Sequence, residues 1–117
     1  MRVLVVEDVP DVALVFSGLI RACGHRTQTA YNAHDALRIA REFKPETVFV
    51  DIGLPEMDGY ELAAELRALE GMDDVRLISV SGREIDTARA REVGLEQHLV
   101  KPVQMETLLP ILTCSDE

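Results

Sequence analysis

Five short apolar or β-branched runs, each followed by residues at helical spacing, constrain this 117-residue chain more than any other feature. They are Arg2 to Val6, His25 to Ala30, Thr47 to Val50, Val75 to Val80 and Gln97 to Val100, the second weaker and more polar, as suits a strand near an edge. Runs this short, bounded by turn formers, suit strands, and the longer stretches between them suit helices. Unbroken alternation of this kind predicts one doubly wound parallel sheet with helices on both faces. No linker or repeat interrupts it, so a single domain over residues 1–117 is expected. A hydrophobic share of 47% is enough for a core without metal or disulfide staples.

The helical stretches carry their own punctuation. Pro10 suits a first turn, and Val12, Val15, Phe16, Leu19 and Cys23 follow at helical spacing until Gly24. Asn32 with Asp35 resembles a capping box opening a helix that carries Ala36, Leu37, Ile39, Ala40 and Phe43, and Pro45 forces its exit. Asp58 is the expected cap of a helix from Gly59 to Leu69, with Leu62, Ala63, Leu66 and Leu69 inward. A more polar helix, about Ile85 to Val93, stops at Gly94, and the last runs from Met105 to Thr113.

Charge narrows the partners. Twelve basic against twenty-one acidic residues leave a net charge of -9, a field that repels nucleic acid and attracts cations. No apolar run reaches membrane-spanning length, and Met1 leads straight into a strand without a signal-peptide pattern. A soluble cytoplasmic protein with no membrane partner is expected. Cys23 and Cys114 fit no metal pattern and are expected as reduced thiols; the alternative is a disulfide, should helix ends bring them together.

The chemically interesting residues share one structural address. Glu7 and Asp8 follow the first strand, Asp51 the third, Ser81 the fourth and Lys101 the fifth. In a parallel sheet those ends lie along one edge, where ligands of open α/β sheets bind. Three carboxylates gathered there repel one another unless a cation neutralises them, and oxygen ligands suit Mg2+. A carboxylate nucleophile, Mg2+, a hydroxyl and an ammonium together suit phosphoryl transfer.

With these residues in order, the chain resembles a response-regulator receiver domain from Arg2 to about Leu112. The acidic pair is matched by Glu7-Asp8, the phosphoacceptor by Asp51 with Pro55, Met57, Asp58 and Gly59 after it, the hydroxyl by Ser81-Gly82, and Lys-Pro by Lys101-Pro102. In style it is nearest the receivers of hybrid sensor histidine kinases. The resemblance implies a flavodoxin-like (βα)5 fold with strand order 2-1-3-4-5. It implies that Asp51 accepts a phosphoryl group from a phosphohistidine on a sensor histidine kinase or a histidine phosphotransfer protein. Mg2+ would be held by Asp8, Asp51 and the backbone carbonyl of Gly53, with Glu7 acting through water. The Lys101-Pro102 bond would be cis. Phosphorylation would draw Ser81 inward and shift the fourth helix, fifth strand and fifth helix, the face offered to a downstream protein.

His98 stands where the family usually has Tyr or Phe as a switch residue, and it reads as a half-buried packing group. The resemblance further implies that Gly53 and Arg83, at the two variable positions beside the site, would tune phosphoryl lifetime. His25 and His34 read as surface residues. Two alternatives accompany the receiver reading: a phosphorylation-independent binding module, and a small phosphatase with an Asp nucleophile. Neither fits as well, because no site acid or lysine is missing and Asp51 follows the third strand rather than the first.

Overall fold

The structure, a computed structural model, describes residues 1–54, 58–82 and 85–112. Strands and helices alternate as β1 (Arg2–Val6), α1 (Pro10–Ala22), β2 (Arg26–Ala30), α2 (Ala33–Phe43), β3 (Thr47–Asp51), α3 (Gly59–Ala68), β4 (Arg76–Ser81), α4 (Thr87–Glu92), β5 (Leu95–Val100) and α5 (Met105–Leu112). All strand pairs are parallel, and the sheet order is β2-β1-β3-β4-β5, as the resemblance implies. Thr113, the expected end of the last helix, lies outside the described residues.

The period-two alternation of the strands sorts the core into two layers. Leu4, Val6, Val48, Val50 and Leu77 pack with Ala36, Ala40, Leu62 and Leu66 on the face covered by α2 and α3. Val3, Val5, Phe49, Ile78 and Val80 pack with Phe16, Ile20, Leu108 and Leu112 on the face covered by α1 and α5. Phe16 and Phe49 meet there with ring centroids 5.0 Å apart, a tilted aromatic pair. The outer strands are more polar: β2 alternates exposed and half-buried residues before Ala30, and in β5 only Leu95 and Leu99 are buried. The β4–β5 register slips between Leu77 and Ile78, leaving Glu96 without a register partner.

Local signals held at most helix ends. Asn32 caps α2 by accepting from the Asp35 N–H, and Asp58 caps α3 by accepting from Tyr60. Asp86 caps α4 by accepting from Arg89. Lys44 closes α2 in the left-handed region at φ 51. Gly94 ends the turn after α4 at φ +84, which favours glycine, and a Cβ there would also lie 2.5 Å from Arg67 Nε and displace that side chain.

Three expectations change. In α1 the inward residues are Ala13, Phe16, Ser17 and Ile20, whereas Val12 and Val15 are exposed. Phe16 is buried and Leu19 and Cys23 pack half-buried against the same core, so it is Val12 and Val15 of that spacing that turn outward. His25 is half-buried rather than on the surface, its Nε2 2.8 Å from the Leu112 carbonyl of α5. Cys23 is disulfide-bonded rather than a free thiol. The other cysteine of the chain, Cys114, lies outside the described residues.

Candidate functional site

Parallel pairing brings the strand ends together. Asp51 is the last residue of β3 and pairs in register with Val80, the residue before Ser81. Ser81 is half-buried at the end of β4, and its carbonyl accepts from the Lys101 N–H at 2.9 Å. That bond fixes where the Lys101 chain starts, and the Lys101–Pro102 peptide is cis, as the resemblance implies.

The side chains converge from these anchors. Lys101 Nζ lies 2.7 Å from Glu7 Oε1 and 3.4 Å from Asp51 Oδ2. Asp51 Oδ1 accepts from the Gly53 N–H at 2.8 Å, which folds the loop back over the carboxylate. Glu7 Oε2 accepts from the Val9 N–H at 3.2 Å. Glu7 and Asp51 are buried, at 2% and 6% exposure, while Asp8 is half-exposed. Asp8 caps no helix: the cap position of α1 is Val9, with no side-chain cap bond.

One oxygen each from Glu7, Asp8 and Asp51 lies within 4.8 Å of the others. Against these three carboxylates the only cation paired with them among the described residues is Lys101. Burial pushes the Glu7 carboxyl above its ordinary value, and Asp51 pushes it further, against the opposing pull of Lys101. Burial alone would lower Lys101, but bonding to Glu7 and the charge of Asp51 outweigh it and raise the ammonium above its ordinary value. The site therefore carries more negative charge than it neutralises. A hard divalent cation with oxygen ligands fits that deficit.

His98 lies elsewhere on β5. It pairs in register with Ser79, and its Nδ1 is 2.8 Å from the Ser79 hydroxyl, which also donates to the Gln97 carbonyl at 3.3 Å. The imidazole is thus half-buried and hydrogen-bonded across to β4. No motif marks Ser79; its one signal in the sequence is a hydroxyl inside the apolar run Leu77 to Val80. Arg83, Pro55 and Met57 lie outside the described residues.

Sheet order and an acidic, lysine-paired cleft at the carboxyl ends of the strands define a doubly wound α/β domain with a strand-end site, and three comparisons make it specific. The family model described as "Response regulator receiver domain" matches residues 3–113, and the chain belongs to that family. It is 33% identical over 108 residues to the transcriptional regulatory protein PrrA of Mycobacterium leprae, covering 92% of this chain but only 46% of that protein. It is 30% identical over 110 residues to protein PilH of Pseudomonas aeruginosa, covering 92% of this chain and 91% of PilH. Among solved structures, the receiver domain of a sensor histidine kinase from Pseudomonas aeruginosa superposes with a TM-score of 0.84 at 28% identity, covering 96% and 93% of the two chains. That neighbour holds a magnesium ion coordinated in its active-site cleft. This chain is thus a receiver domain of two-component signalling. No helix among the described residues is long and apolar enough to cross a membrane.

Proposed function

We propose that the chain is one cytoplasmic receiver domain, residues 1–117, in which Asp51 is the phosphoacceptor of a phosphorelay. The observation that carries this reading is the placement of Asp51. It is buried, oriented by Gly53, and faces Lys101 beside two further carboxylates. In the transfer, a carboxylate oxygen of Asp51 attacks phosphorus, the N–P bond of a phosphohistidine breaks, and the imidazole leaves with the N–P electron pair. Lys101 already sits against the Asp51 carboxylate, so its ammonium meets the transferred oxygens without reorganising. Ser81 stands at the neighbouring strand end, and its hydroxyl would be drawn inward to a phosphoryl oxygen.

Asp8, Asp51 and the Gly53 carbonyl are the groups that would hold Mg2+, with Glu7 behind them, and the ion would supply neutralisation of the phosphoryl oxygens. The donor would be a sensor histidine kinase or a histidine phosphotransfer protein. An apolar groove of about 550 Å³ supports this, since Val12, Val15, Pro102 and Val103 line it together with Lys101 of the site. The domain could serve as a free-standing regulator or as part of a longer chain such as a hybrid kinase. The α4–β5–α5 face would meet the downstream protein. Neither the binding-module nor the phosphatase alternative draws support from these relatives.

Incubation with Mg2+ and acetyl phosphate should add covalent phosphate to the wild-type chain and none to Asp51→Asn, read by intact-mass spectrometry. An unlabelled wild type, or undiminished labelling of the variant, would overturn the reading.

A further inference from the structure

The first turns of α3 and α4 are joined by side chains that the phosphoacceptor reading does not use. Arg89 Nη2 lies 2.7 Å from Asp58 Oδ2, and the guanidinium sits over the Tyr60 ring, 4.4 Å from its centroid. The Tyr60 hydroxyl accepts from the Asp86 N–H at 2.8 Å, and Asp86 in turn caps α4 through the Arg89 N–H. Asp58 and Tyr60 flank Gly59, which is itself seated on the backbone leaving β3. A Cβ on Gly59 would lie 2.7 Å from Ile52 Cα and 3.1 Å from the Asp51 carbonyl oxygen. Backbone displacement at Asp51 and Ile52 therefore meets Gly59 directly.

The other end of this chain of contacts is lightly held. The six residues of α4 include one buried side chain, Ala90, with Ile85 and Val93 half-buried at its ends. By contrast, α3 buries Gly59, Tyr60, Leu62, Ala63 and Leu66. An element with so little apolar anchorage takes its position from its polar ties, and elements of low local stability are the ones that move. The acids facing Arg89 are Asp58 from the α3 cap and Asp86 from its own helix.

We infer that Arg89, clamped between Asp58 and Tyr60, is a positioning latch that couples α4 to the backbone beside Asp51. The inference rests on Asp51 being the acceptor, and it supplies an outlet for the signal that passes through neither Ser81 nor His98. A ligand at Asp51 that shifts the Asp51–Ile52 backbone would carry Gly59, then Asp58 and Tyr60, and with them the first turn of α4.

The test follows backbone amides by NMR as Mg2+ and beryllofluoride, a phosphoryl mimic, are added. In the wild type the amides of Gly53, Lys101 and residues 87–92 should all respond. In Arg89→Ala the response of 87–92 should fall about fivefold or more, while Gly53 and Lys101 respond as before. Arg89→Lys, which keeps the charge but loses the planar stack, should fall between them. A response of α4 in Arg89→Ala equal to the wild type, with the site still loading, would overturn the latch. Failure of the wild-type chain to bind beryllofluoride would instead overturn the phosphoacceptor reading, and the latch with it. The retained response at Gly53 and Lys101 also shows that the variant is folded.

Discussion

The two edges of the sheet handle charge in opposite ways. Along the carboxyl ends of the strands, Glu7, Asp8 and Asp51 crowd together with Lys101 as their paired cation. Along the amino ends, cations meet main-chain carbonyls. Arg2 donates to the carbonyls of Phe43 and Lys44 at the end of α2, and Arg76 donates to Ile111 in α5. Arg67 donates to Asp73, Val75 and Gly94, and Lys44 donates to Glu70. The βα topology itself causes this. Every helix runs back against its strand, so helix C-termini with orphan carbonyls collect at one edge and helix N-termini at the other. One edge is densely hydrogen-bonded and structural, although Arg67 Nε is buried there without a hydrogen-bond partner among the described residues. The other is short of positive charge and open to a ligand.

That contrast can be broken from either side. The largest effect is expected at the amino edge, where Arg67→Ala removes the donors to two part-buried carbonyls and one exposed one and should cost roughly 1–3 kcal/mol in chemical unfolding. Labelling of Asp51 in the folded fraction should be unchanged; a labelling defect would mean that the edges are not separate. Mg2+ should stabilise the open edge next most strongly. At a concentration of 100 times its dissociation constant the gain is about 2.7 kcal/mol. Asp8→Asn should need much more Mg2+ for the same gain, and an equal gain at equal Mg2+ would remove Asp8 from the ligand set.

The smallest effect concerns pH. Because Lys101 is raised in the folded chain, its contribution to stability is complete below the ordinary lysine range. It is lost as pH rises through the higher folded value. Urea unfolding should therefore show a wild-type advantage over Lys101→Met that is flat near neutrality and shrinks in the alkaline range. Glu7 is also raised, so its favourable contribution lies on the acid side and fades as pH rises through its folded value. A wild-type advantage that stays constant into strong alkali would contradict the Lys101 pairing.

Much of this molecule is readable from residue order. The three inner strands announce themselves because short buried runs between turn formers have few other fates, whereas the polar outer ones are fainter and β5 begins at Leu95 rather than Gln97; Asn32 and Asp58 act where capping chemistry places them. The acidic pair, Asp51 and Lys101 converge because parallel strands end on one side. What stayed hidden depends on which of two surfaces a side chain meets. Periodicity put Val12 and Val15 on an apolar stripe of α1 without telling which stripe touches the sheet. His25 looked like a surface residue because its acceptor, the Leu112 carbonyl, is distant in sequence. Arg89 gave no sign at all, since an arginine in a polar helix looks the same whether solvated or clamped over a tyrosine.

The polar outer strands bear on how this protein associates. An exposed strand edge is a template onto which another chain can add, and both outer strands here are guarded. Arg26 and Gln28 are exposed on β2, and Glu96 and Gln97 are exposed on β5 beside a register slip that spoils a flat hydrogen-bonding row. Sheet extension between copies is thereby discouraged. Crowded solutions of the chain should therefore stay clear of strand-to-strand aggregation.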